Sequence, residues 1–398
     1  MKILILHNKY LQKGGEDTVV AAEQSLLEER GNEVRVLMFD NANIKGGIKG
    51  IKSLIQSVYN RDAYKRVLAE IEDFQPDVMH VHNTFYVASH AVYHAAKHKK
   101  VPVIQTLHNY RLVCPSAFLF HKGDIYIQSV NKVFPLDAVL KRVWDNSFVK
   151  TFMIALTTAL NKRKGTYQKL IDKYVVFTEF SKDIFLHSSL NLREEQLAIK
   201  PNFIPDPGVN SAEREDFYLF VGRLSPEKGI SVLLEAAKKE GFPLYILGDG
   251  PLRHEVEAAE AESPNIKYLG HTSREEVLEY FKKTKALIFP SLWYEGMPMV
   301  IVECMASGAP IIVSDLGNPG VMVTHEANGL KFEAGNADEL IKQVRKLEQN
   351  PHLVDAYSNA SRNTYMDHYS PSANYQRLME IYHSAINQNV NVHTMTTP

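Results

Sequence analysis

The chain has 398 residues and a formal net charge of −1, with 45% hydrophobic and 23% charged residues. This composition is typical of a folded globular protein, and two cysteines are too few for a disulfide framework. No apolar run has the length that a membrane-spanning helix needs, and the chain is longer than one hydrophobic core usually supports, so two domains are expected.

The near-neutral total conceals opposite charges in the two halves. Residues 1–200 hold 28 Lys and Arg against 20 Asp and Glu, a net charge of +8, whereas residues 201–398 hold 17 against 26, a net charge of −9. In residues 140–170, seven basic residues and one acidic residue surround an apolar run. This pattern fits a helix on an anionic membrane, with Lys162, Arg163 and Lys164 at head groups and Phe148, Phe152, Met153 and Leu156 inserted. It equally fits a core helix with solvated ends.

The first residues, Met1-Lys-Ile-Leu-Ile-Leu-His, form an apolar run too short for a signal peptide, and we expect them to be the first buried strand. Cys114 and Cys304 lie in apolar surroundings, which suits a reducing compartment. The sequence therefore predicts a cytoplasmic protein, with peripheral contact to the inner face of the plasma membrane if residues 140–170 bind lipid.

Strand-like apolar runs alternate with helical patterns along the chain, which predicts an α/β protein with two Rossmann-like domains of parallel strands. The expected strands of the first half are residues 2–6, 33–39, 78–81, 103–106 and 173–178. Those of the second half are residues 218–221, 243–247, 266–269, 286–289 and 310–313. Prolines cluster at residues 201–207, where we expect the link between the domains.

Three histidines follow strands of the first half. His80 and His82 alternate along one strand and so share a face, and His108 follows the next strand. The arrangement permits a three-imidazole metal site, but hydrogen bonding beside a ligand is favoured. No Asp-x-Asp pair occurs to hold a diphosphate through a metal, so no metal is predicted.

A dinucleotide-dependent dehydrogenase is disfavoured. The first strand is not followed by Gly-x-Gly-x-x-Gly, since only the pair Gly14-Gly15 occurs there. Gly248-Asp-Gly250 matches two of the three glycines after a later strand, which is a weak signal.

One strand-to-helix junction of the second half carries two cations. Gly222, Arg223 and Lys228 follow the strand at 218–221. Arg223 can bind two phosphate oxygens through its forked guanidinium, and Lys228 adds a mobile point charge. Together they would neutralise a diphosphate.

A second junction carries two carboxylates. Glu295 lies in the loop after the strand at 286–289, and Glu303 lies on the helix that begins near Pro298 and ends near Gly308. Carboxylates accept hydrogen bonds from sugar hydroxyls, while backbone N–H groups of residues 296–299 can bind hydroxyl oxygens or phosphate. A nucleotide sugar has both chemistries.

These junctions belong to an ordered set of motifs over residues 217–345, which includes residues 222–229, 244–252 and 266–271, the Glu-x7-Glu element, residues 308–314 and Asn328-Gly-Leu. Looser motifs lie at residues 14–16, 76–83, 106–115 and 200–203. In these residues the chain resembles the retaining glycosyltransferases of family 4, within glycosyltransferase group 1. The resemblance implies a GT-B fold, in which two Rossmann-like domains face each other across a cleft. It also implies an N-terminal acceptor-binding domain at 1–203, a donor-binding domain at 204–371, a helix at 372–390 that crosses back, and a disordered tail at 391–398.

The resemblance further implies metal-independent, retaining transfer from a nucleotide-diphosphate sugar, with no cofactor. Arg223 and Lys228 would stabilise the leaving diphosphate, Glu295 would lie by the donor sugar, and His108 would bond that sugar from the other domain. The other donor-binding residues would be Gly15, Gly222, Gly296, Met297, Pro298, Met299 and Glu303, with Glu303 on the ribose. Gly14 and Glu16 would lie in a loop near the phosphate or the acceptor.

The donor and acceptor stay open. A UDP-sugar is favoured over a GDP-sugar, and the expected acceptor is a lipid-linked saccharide in cell-surface polysaccharide biosynthesis, with a soluble saccharide as the alternative. The cysteines and the Cys-Tyr-Arg-Gly-like stretch that close relatives often have are absent from residues 116–145, so the acceptor is not carried over. A nucleotide-sugar 2-epimerase and a catalytically idle component of a polysaccharide assembly are the other candidate functions. No nucleic-acid partner is expected.

Overall fold

A computed structural model describes residues 1–9, 15–40, 58–85, 87–209 and 214–394. The chain divides into two compact units. The N-terminal unit contains residues 1–119 and 126–200 and the chain from Tyr375 onward, and the C-terminal unit contains residues 120–125 and 201–374. The sequence had placed the boundary after residue 203 and had assigned residues 120–125 to the first domain.

The described strands are β1 (Lys2–Lys9), β2 (Glu33–Asp40), β3 (Val78–Val81), β4 (Val103–Thr106), β5 (Phe120–His121), β6 (Asp124–Ile125), β7 (Lys173–Val176), β8 (Leu197–Ile199), β9 (Tyr218–Val221), β10 (Leu244–Leu247), β11 (Ile266–Gly270), β12 (Ala286–Phe289), β13 (Ile311–Ser314) and β14 (Leu330–Phe332). The described helices are α1 (Gly15–Glu29), α2 (Arg61–Phe74), α3 (Ala91–His98), α4 (Leu136–Lys141), α5 (Phe148–Lys164), α6 (Thr166–Lys169), α7 (Glu179–Leu186), α8 (Ile230–Glu240), α9 (Arg253–Glu262), α10 (Arg274–Lys283), α11 (Met299–Ala306), α12 (Gly317–Met322), α13 (Ala337–Gln349), α14 (His352–His368) and α15 (Pro371–Thr394). Among the described residues, two short 3₁₀ turns lie at Glu194–Gln196 and Pro226–Lys228.

The N-terminal unit is built on a six-stranded parallel sheet in the order β2-β1-β3-β4-β7-β8. The strands β3, β4 and β7 are buried along their whole length, as expected of a parallel sheet covered on both faces. The core includes residues of α15, among them Leu378 and Tyr382. The final helix therefore contributes to the folding of this unit.

The C-terminal unit has a second six-stranded parallel sheet, in the order β11-β10-β9-β12-β13-β14. Numbered within the unit, this is the order 3-2-1-4-5-6 of a doubly wound fold, and the direction of winding changes between β9 and β12. Ligands of such folds bind beyond the carboxyl ends of the strands at this switch point. The loops after β9 and β12 are therefore the first place to look for a site.

The α/β class with two parallel sheets is confirmed, and four of the expected strands have the predicted bounds. The sequence missed the three-residue strands β8 and β14 and the antiparallel hairpin β5–β6. The sequence predicted a disordered tail from residue 391. This prediction is wrong for residues 391–394, because α15 continues to Thr394.

The expectation for residues 140–170 needs a second correction. Lys162 is buried, and its Nζ donates to Ser189 Oγ at 2.8 Å and to the Lys132 carbonyl at 3.2 Å, so this ammonium cannot lie among lipid head groups. Burial lowers its pKa to about 8. Met153 and Leu156 are half-buried, whereas Phe148 and Phe152 are exposed. None of the described helices combines the length and apolar character needed to cross a membrane.

Candidate functional site

Glycine packing brings together the strand-end loops of the C-terminal unit. Gly229 ends the 3₁₀ turn with φ +73°, and a Cβ atom there would lie 1.9 Å from the carbonyl oxygen of Pro290. At Gly248, with φ +142°, a Cβ atom would lie 1.8 Å from the Gly222 carbonyl oxygen. No other residue fits without moving the backbone. The loop after β9 therefore lies directly against the loops after β12 and β10.

The contact between two of these loops places Lys228 beside Glu295. Lys228 Nζ lies 2.5 Å from Glu295 Oε1, which also accepts a hydrogen bond from Ser291 Oγ at 3.0 Å. Asn318, which is fully buried, donates through Nδ2 to the carbonyl oxygens of Glu295 and Gly296. Ser291 and Asn318 thus hold the glutamate loop in place, and the sequence had indicated neither residue.

A cavity of about 600 Å³ opens beside this ion pair, wholly within the C-terminal unit. Its lining includes six residues expected at the site, together with Ser291; the six are Gly222, Lys228, Glu295, Met297, Pro298 and Met299. Within the described part of the chain, no acceptor is hydrogen-bonded to the backbone N–H of Met297 or Met299. The cavity therefore combines a cation, a carboxylate and backbone donors at the start of α11, a set that suits an anionic ligand with hydroxyl groups.

Arg223 and Glu303 lie near this cavity in sequence but are not part of its lining. Arg223 is exposed on the loop after β9. Glu303 lies on α11 and accepts from Arg274 Nε of α10 at 2.8 Å. Burial raises the pKa of Glu303, and the charge of Arg274 opposes that rise. The sequence had placed Glu303 correctly on the helix but had not indicated Arg274.

The N-terminal unit has a separate cavity of about 750 Å³ beyond β3 and β4. His108 and His82 line it, as do Arg111 and Met153. The Arg111 guanidinium lies between aromatic rings, 3.9 Å from the Phe85 centroid and 4.0 Å from that of Trp144. The histidines thus form a polar part of the wall of a cavity that is otherwise largely apolar.

The first loop is only partly described, and Gly14 lies outside the described residues. Gly15 begins α1, and a Cβ atom at this position would meet nothing within 4 Å, so packing within the protein does not require glycine here. Glu16 accepts from Asn109 Nδ2 at 3.0 Å, which brings α1 next to the loop that carries His108.

A buried cluster of charged and polar side chains lies below His108. Glu23 of α1 and Lys200, each 1% exposed, form an ion pair at 2.8 Å. Glu23 Oε1 lies 2.9 Å from His80 Nδ1 and 3.3 Å from His82 Nε2. His82 Nδ1 in turn lies 3.0 Å from His108 Nε2.

The group Glu23, His80 and His82 has ligand atoms within 4.8 Å of one another, so its geometry could hold a metal ion. The chemistry of the cluster argues against one. The Lys200 ammonium already neutralises the Glu23 carboxylate, and a divalent cation beside it would add like charge in a buried space. His80 is also engaged by the hydroxyls of Tyr382 and Thr106, each at 2.8 Å.

The two units with parallel sheets, and the cavity at the switch point of the second, are features of the GT-B fold. Residues 206–364 match the family model described as "Glycosyl transferases group 1". The match covers these residues alone, and there it confirms the resemblance to glycosyltransferase group 1 predicted from the motifs. Placement in family 4 stays a prediction.

Relatives and solved structures agree with this assignment. An uncharacterised glycosyltransferase of Methanocaldococcus jannaschii is 35% identical over 140 residues, which are 35% of this chain and 40% of the relative. An Escherichia coli protein named UDP-Gal:alpha-D-GlcNAc-diphosphoundecaprenol alpha-1,3-galactosyltransferase is 27% identical over 42% of this chain and 44% of its own length. The crystal structure of HepE from Anabaena in complex with UDP has a TM-score of 0.67 at 15% identity and covers 96% of this chain and 100% of that one.

The structural likeness confirms the GT-B fold. The chain spans about 40% of the length of the first curated relatives that it matches, so their activities are not transferred to the whole protein directly.

Proposed function

We propose that this protein is a glycosyltransferase that moves a sugar from a nucleotide-diphosphate donor to an acceptor, with retention of anomeric configuration and without a metal ion. One observation carries the proposal. At the switch point of the C-terminal unit, Lys228 and Glu295 form a 2.5 Å ion pair on the wall of a cavity, next to backbone donors of α11.

The ion pair supplies a positive charge for the diphosphate of the donor and a carboxylate for its sugar. Lys228 is a compact cation that can exchange its carboxylate partner for a phosphate oxygen, and exposed Arg223 can add a bidentate contact. Once they have bound the diphosphate, these cations would be in place to stabilise the charge that develops on it as it leaves. Glu295, released from Lys228, would then be available to accept hydrogen bonds from the donor sugar.

A UDP-sugar is the favoured donor. The HepE structure contains UDP, and the name of the Escherichia coli relative specifies UDP-Gal. A GDP-sugar is the alternative, because none of the contacts described above involves the base. Glu303 on α11 would bind the ribose, with its charge maintained by Arg274.

A lipid-linked saccharide is the favoured acceptor. The name of the same Escherichia coli relative specifies a diphosphoundecaprenol-linked sugar. The N-terminal unit carries an exposed apolar surface suited to a bilayer, formed by Leu136 and Leu140 of α4 and Phe148, Val149 and Phe152 of α5. We call it the α4–α5 surface.

Contacts between aromatic rings connect part of the α4–α5 surface. The ring centroids of Phe148 and Phe152 are 6.3 Å apart, and Phe134, which precedes α4, lies 6.0 Å from Phe152. Eight of the twelve exposed large hydrophobic side chains in the described residues lie between residues 118 and 152, a concentration that favours a docking function over chance exposure. Exposed Lys141, Arg142 and Lys150 accompany it, so we propose an anionic bilayer as the partner.

Incubation of the purified protein with UDP- and GDP-sugars, with and without polyprenyl-diphosphate saccharides, tests the function. The proposal predicts nucleotide release that depends on the acceptor, a product with retained configuration by NMR, and unchanged rates in EDTA. Conversion of the sugar without an acceptor would identify an epimerase instead, and nucleotide binding without turnover would identify a binding component. Loss of activity in EDTA that Mg²⁺ restores would contradict the metal-independent route.

A further inference from the structure

The buried cluster of the N-terminal unit constrains the protonation of His108. Its members come from four places in the fold: Glu23 from α1, Lys200 from the residue after β8, His82 from the end of β3 and His108 from the loop after β4. They form a chain of close contacts, from Lys200 to Glu23 at 2.8 Å, on to His82 at 3.3 Å and then to His108 at 3.0 Å. Each contact in such a chain needs one donor atom and one acceptor atom, so the hydrogen position on one ring fixes that on the next.

Glu23 is the acceptor at one end of the chain. Burial alone would raise the pKa of its carboxyl group, but the charge of Lys200 and the neighbouring His80 and His82 hold the pKa well below its usual range. The carboxylate therefore has no proton to donate. Glu23 Oε1 lies 3.3 Å from His82 Nε2, a close contact whose geometry is not that of a hydrogen bond. A nitrogen lone pair facing this carboxylate would be repelled, so Nε2 is the ring nitrogen that carries the hydrogen.

His82 is neutral, because burial lowers its pKa to about 4, with the charge of His80 acting in the same direction. A neutral imidazole with hydrogen on Nε2 has a lone pair on Nδ1. That lone pair faces His108 Nε2 at 3.0 Å, in rings that are nearly parallel with a 25° interplanar angle. His108 Nε2 must therefore be the donor of this hydrogen bond.

His108 is itself neutral at physiological pH, because burial holds its pKa well below the ordinary value. With its one hydrogen on Nε2, its Nδ1 is an acceptor. In the part of the chain that the structure describes, no group is hydrogen-bonded to this Nδ1, and the residue lines the cavity of the N-terminal unit. The acceptor atom is thus available to a ligand.

We propose that Glu23 and His82 are positioning residues that hold His108 as the Nε2–H tautomer, so that His108 Nδ1 accepts a hydrogen bond from a hydroxyl group of the sugar ligand. The identity of the ligand rests on the proposed function, whereas the tautomer is a property of the free protein. Through one close ionic contact and one hydrogen bond, the Glu23 carboxylate selects which atom of His108 can bind the ligand.

The tautomer is measurable by NMR of the full-length protein labelled with ¹⁵N-histidine at pH 7.5. Long-range ¹H–¹⁵N correlations distinguish the two neutral tautomers and the imidazolium, and the His108 signals are assigned by their loss in His108→Gln. We expect His108 to show the neutral Nε2–H pattern. An Nδ1–H pattern or a protonated ring at this pH would overturn the proposal without any variant of the cluster.

Removal of the hydrogen-bond acceptor, His82 Nδ1, tests the relay itself, which is the chain of contacts from Glu23 through His82 to His108. His82→Phe keeps a ring of similar size but has no nitrogen, so His108 should lose its single tautomer and show averaged nitrogen shifts. The matched control is His98→Gln, an exposed histidine on α3, which should leave the His108 signals unchanged. Unchanged His108 signals in a folded His82→Phe protein would contradict the relay.

Kinetics separate the relay from the proposed function. If the parent transfers sugar, His82→Phe should lower kcat/KM on the order of 10-fold, by analogy with residues that orient metal-binding imidazoles. A protein with the expected tautomer but no activity on nucleotide sugars would refute the proposed function and leave the tautomer assignment intact. An active protein with the other tautomer would refute the relay alone.

Discussion

Lys228 and Glu295 form an ion pair of 2.5 Å between two neighbouring loops. The loops can meet because Gly229 of the first has no side chain to clash with Pro290 of the second. The two loops follow β9 and β12, the neighbouring strands at which the sheet of the C-terminal unit changes its direction of winding. Without ligand the two charges neutralise each other. Binding of a diphosphate would give Lys228 a stronger partner and free Glu295 for hydroxyl groups.

Removal of the Lys228 charge should therefore affect turnover directly. We expect Lys228→Ala to lower kcat by about 100- to 1,000-fold, or about 2.7–4 kcal/mol, as for other preorganised groups that stabilise a developing negative charge. Steady-state kinetics with the best nucleotide sugar would measure it. Lys238→Ala is the control, because Lys238 pairs with Glu262 on the surface of the same unit. A Lys228→Ala enzyme with the parent kcat would remove Lys228 from the reaction.

Much of the fold was predictable because buried parallel strands have mostly apolar sequences. Residues 78–81, 103–106, 218–221 and 286–289 were predicted with the bounds that the structure has. The strands β8 and β14 were missed because three residues are too few for a pattern. The hairpin β5–β6 was missed because strands of two residues give no alternation.

The candidate site was less predictable than the fold. Lys228, Glu295 and the residues at the start of α11 are local in sequence to strand ends, and so they could be identified. The sequence did not identify three supporting residues, Asn318, Arg274 and Ser291. Each contacts a glutamate of the site that is distant in sequence or lies across a turn, and no local sequence pattern indicates such a contact. Lys162 was placed wrongly for the same reason, since its partners Ser189 and Lys132 are distant in sequence.

The contact between Arg274 and Glu303 predicts a change in pH dependence. Because burial raises the Glu303 pKa and Arg274 opposes that rise, Arg274→Ala should raise this pKa further. If Glu303 binds ribose as a carboxylate, donor affinity falls as pH drops through its pKa. In the variant, KM for the donor should then begin to increase at a higher pH than in the parent.

Measurement of kcat and KM between pH 5 and 8 would test this. Arg253→Ala serves as the control, since Arg253 is exposed and pairs with Glu257 on α9. Superimposable pH profiles of KM for parent and Arg274→Ala would show that Glu303 does not bind the donor as an ionised group.

The α4–α5 surface predicts a membrane-binding phenotype. Phe148→Glu combined with Leu140→Glu places two negative charges on the exposed apolar side chains, which are 47% and 66% exposed in the parent. Folding should be preserved at such exposed sites, while binding to anionic vesicles should fall by at least 10-fold. Co-sedimentation with phosphatidylglycerol vesicles would measure it.

Met366→Glu is the matched control for this experiment, because Met366 is an exposed apolar residue of the C-terminal unit. The control should bind vesicles as the parent does. Equal co-sedimentation of the double variant and the parent would show that the α4–α5 surface does not contact lipid, and phosphatidylcholine vesicles would show whether the basic residues contribute.

Buried His90 predicts how the N-terminal unit responds to acid. His90 Nε2 lies 2.9 Å from the Tyr167 hydroxyl, and burial lowers the pKa of this histidine to about 4, with His94 contributing in the same direction. The unfolded chain takes up a proton near the ordinary pKa of 6.5, before the folded protein does. The free energy of unfolding should therefore fall as pH drops from 6.5 to 4, and His90 should account for about 3 kcal/mol of that fall.

Urea unfolding at pH 7 and pH 4 can isolate this contribution. The chain has two tryptophans, and Trp293→Phe leaves Trp144 as the fluorescent reporter of the N-terminal unit. In that background His90→Gln should lose less stability on acidification than the parent, since glutamine does not titrate. His187→Gln, a substitution at an exposed histidine, should follow the parent. If all three proteins lose the same free energy between the two pH values, the buried imidazole is not the group that titrates on unfolding.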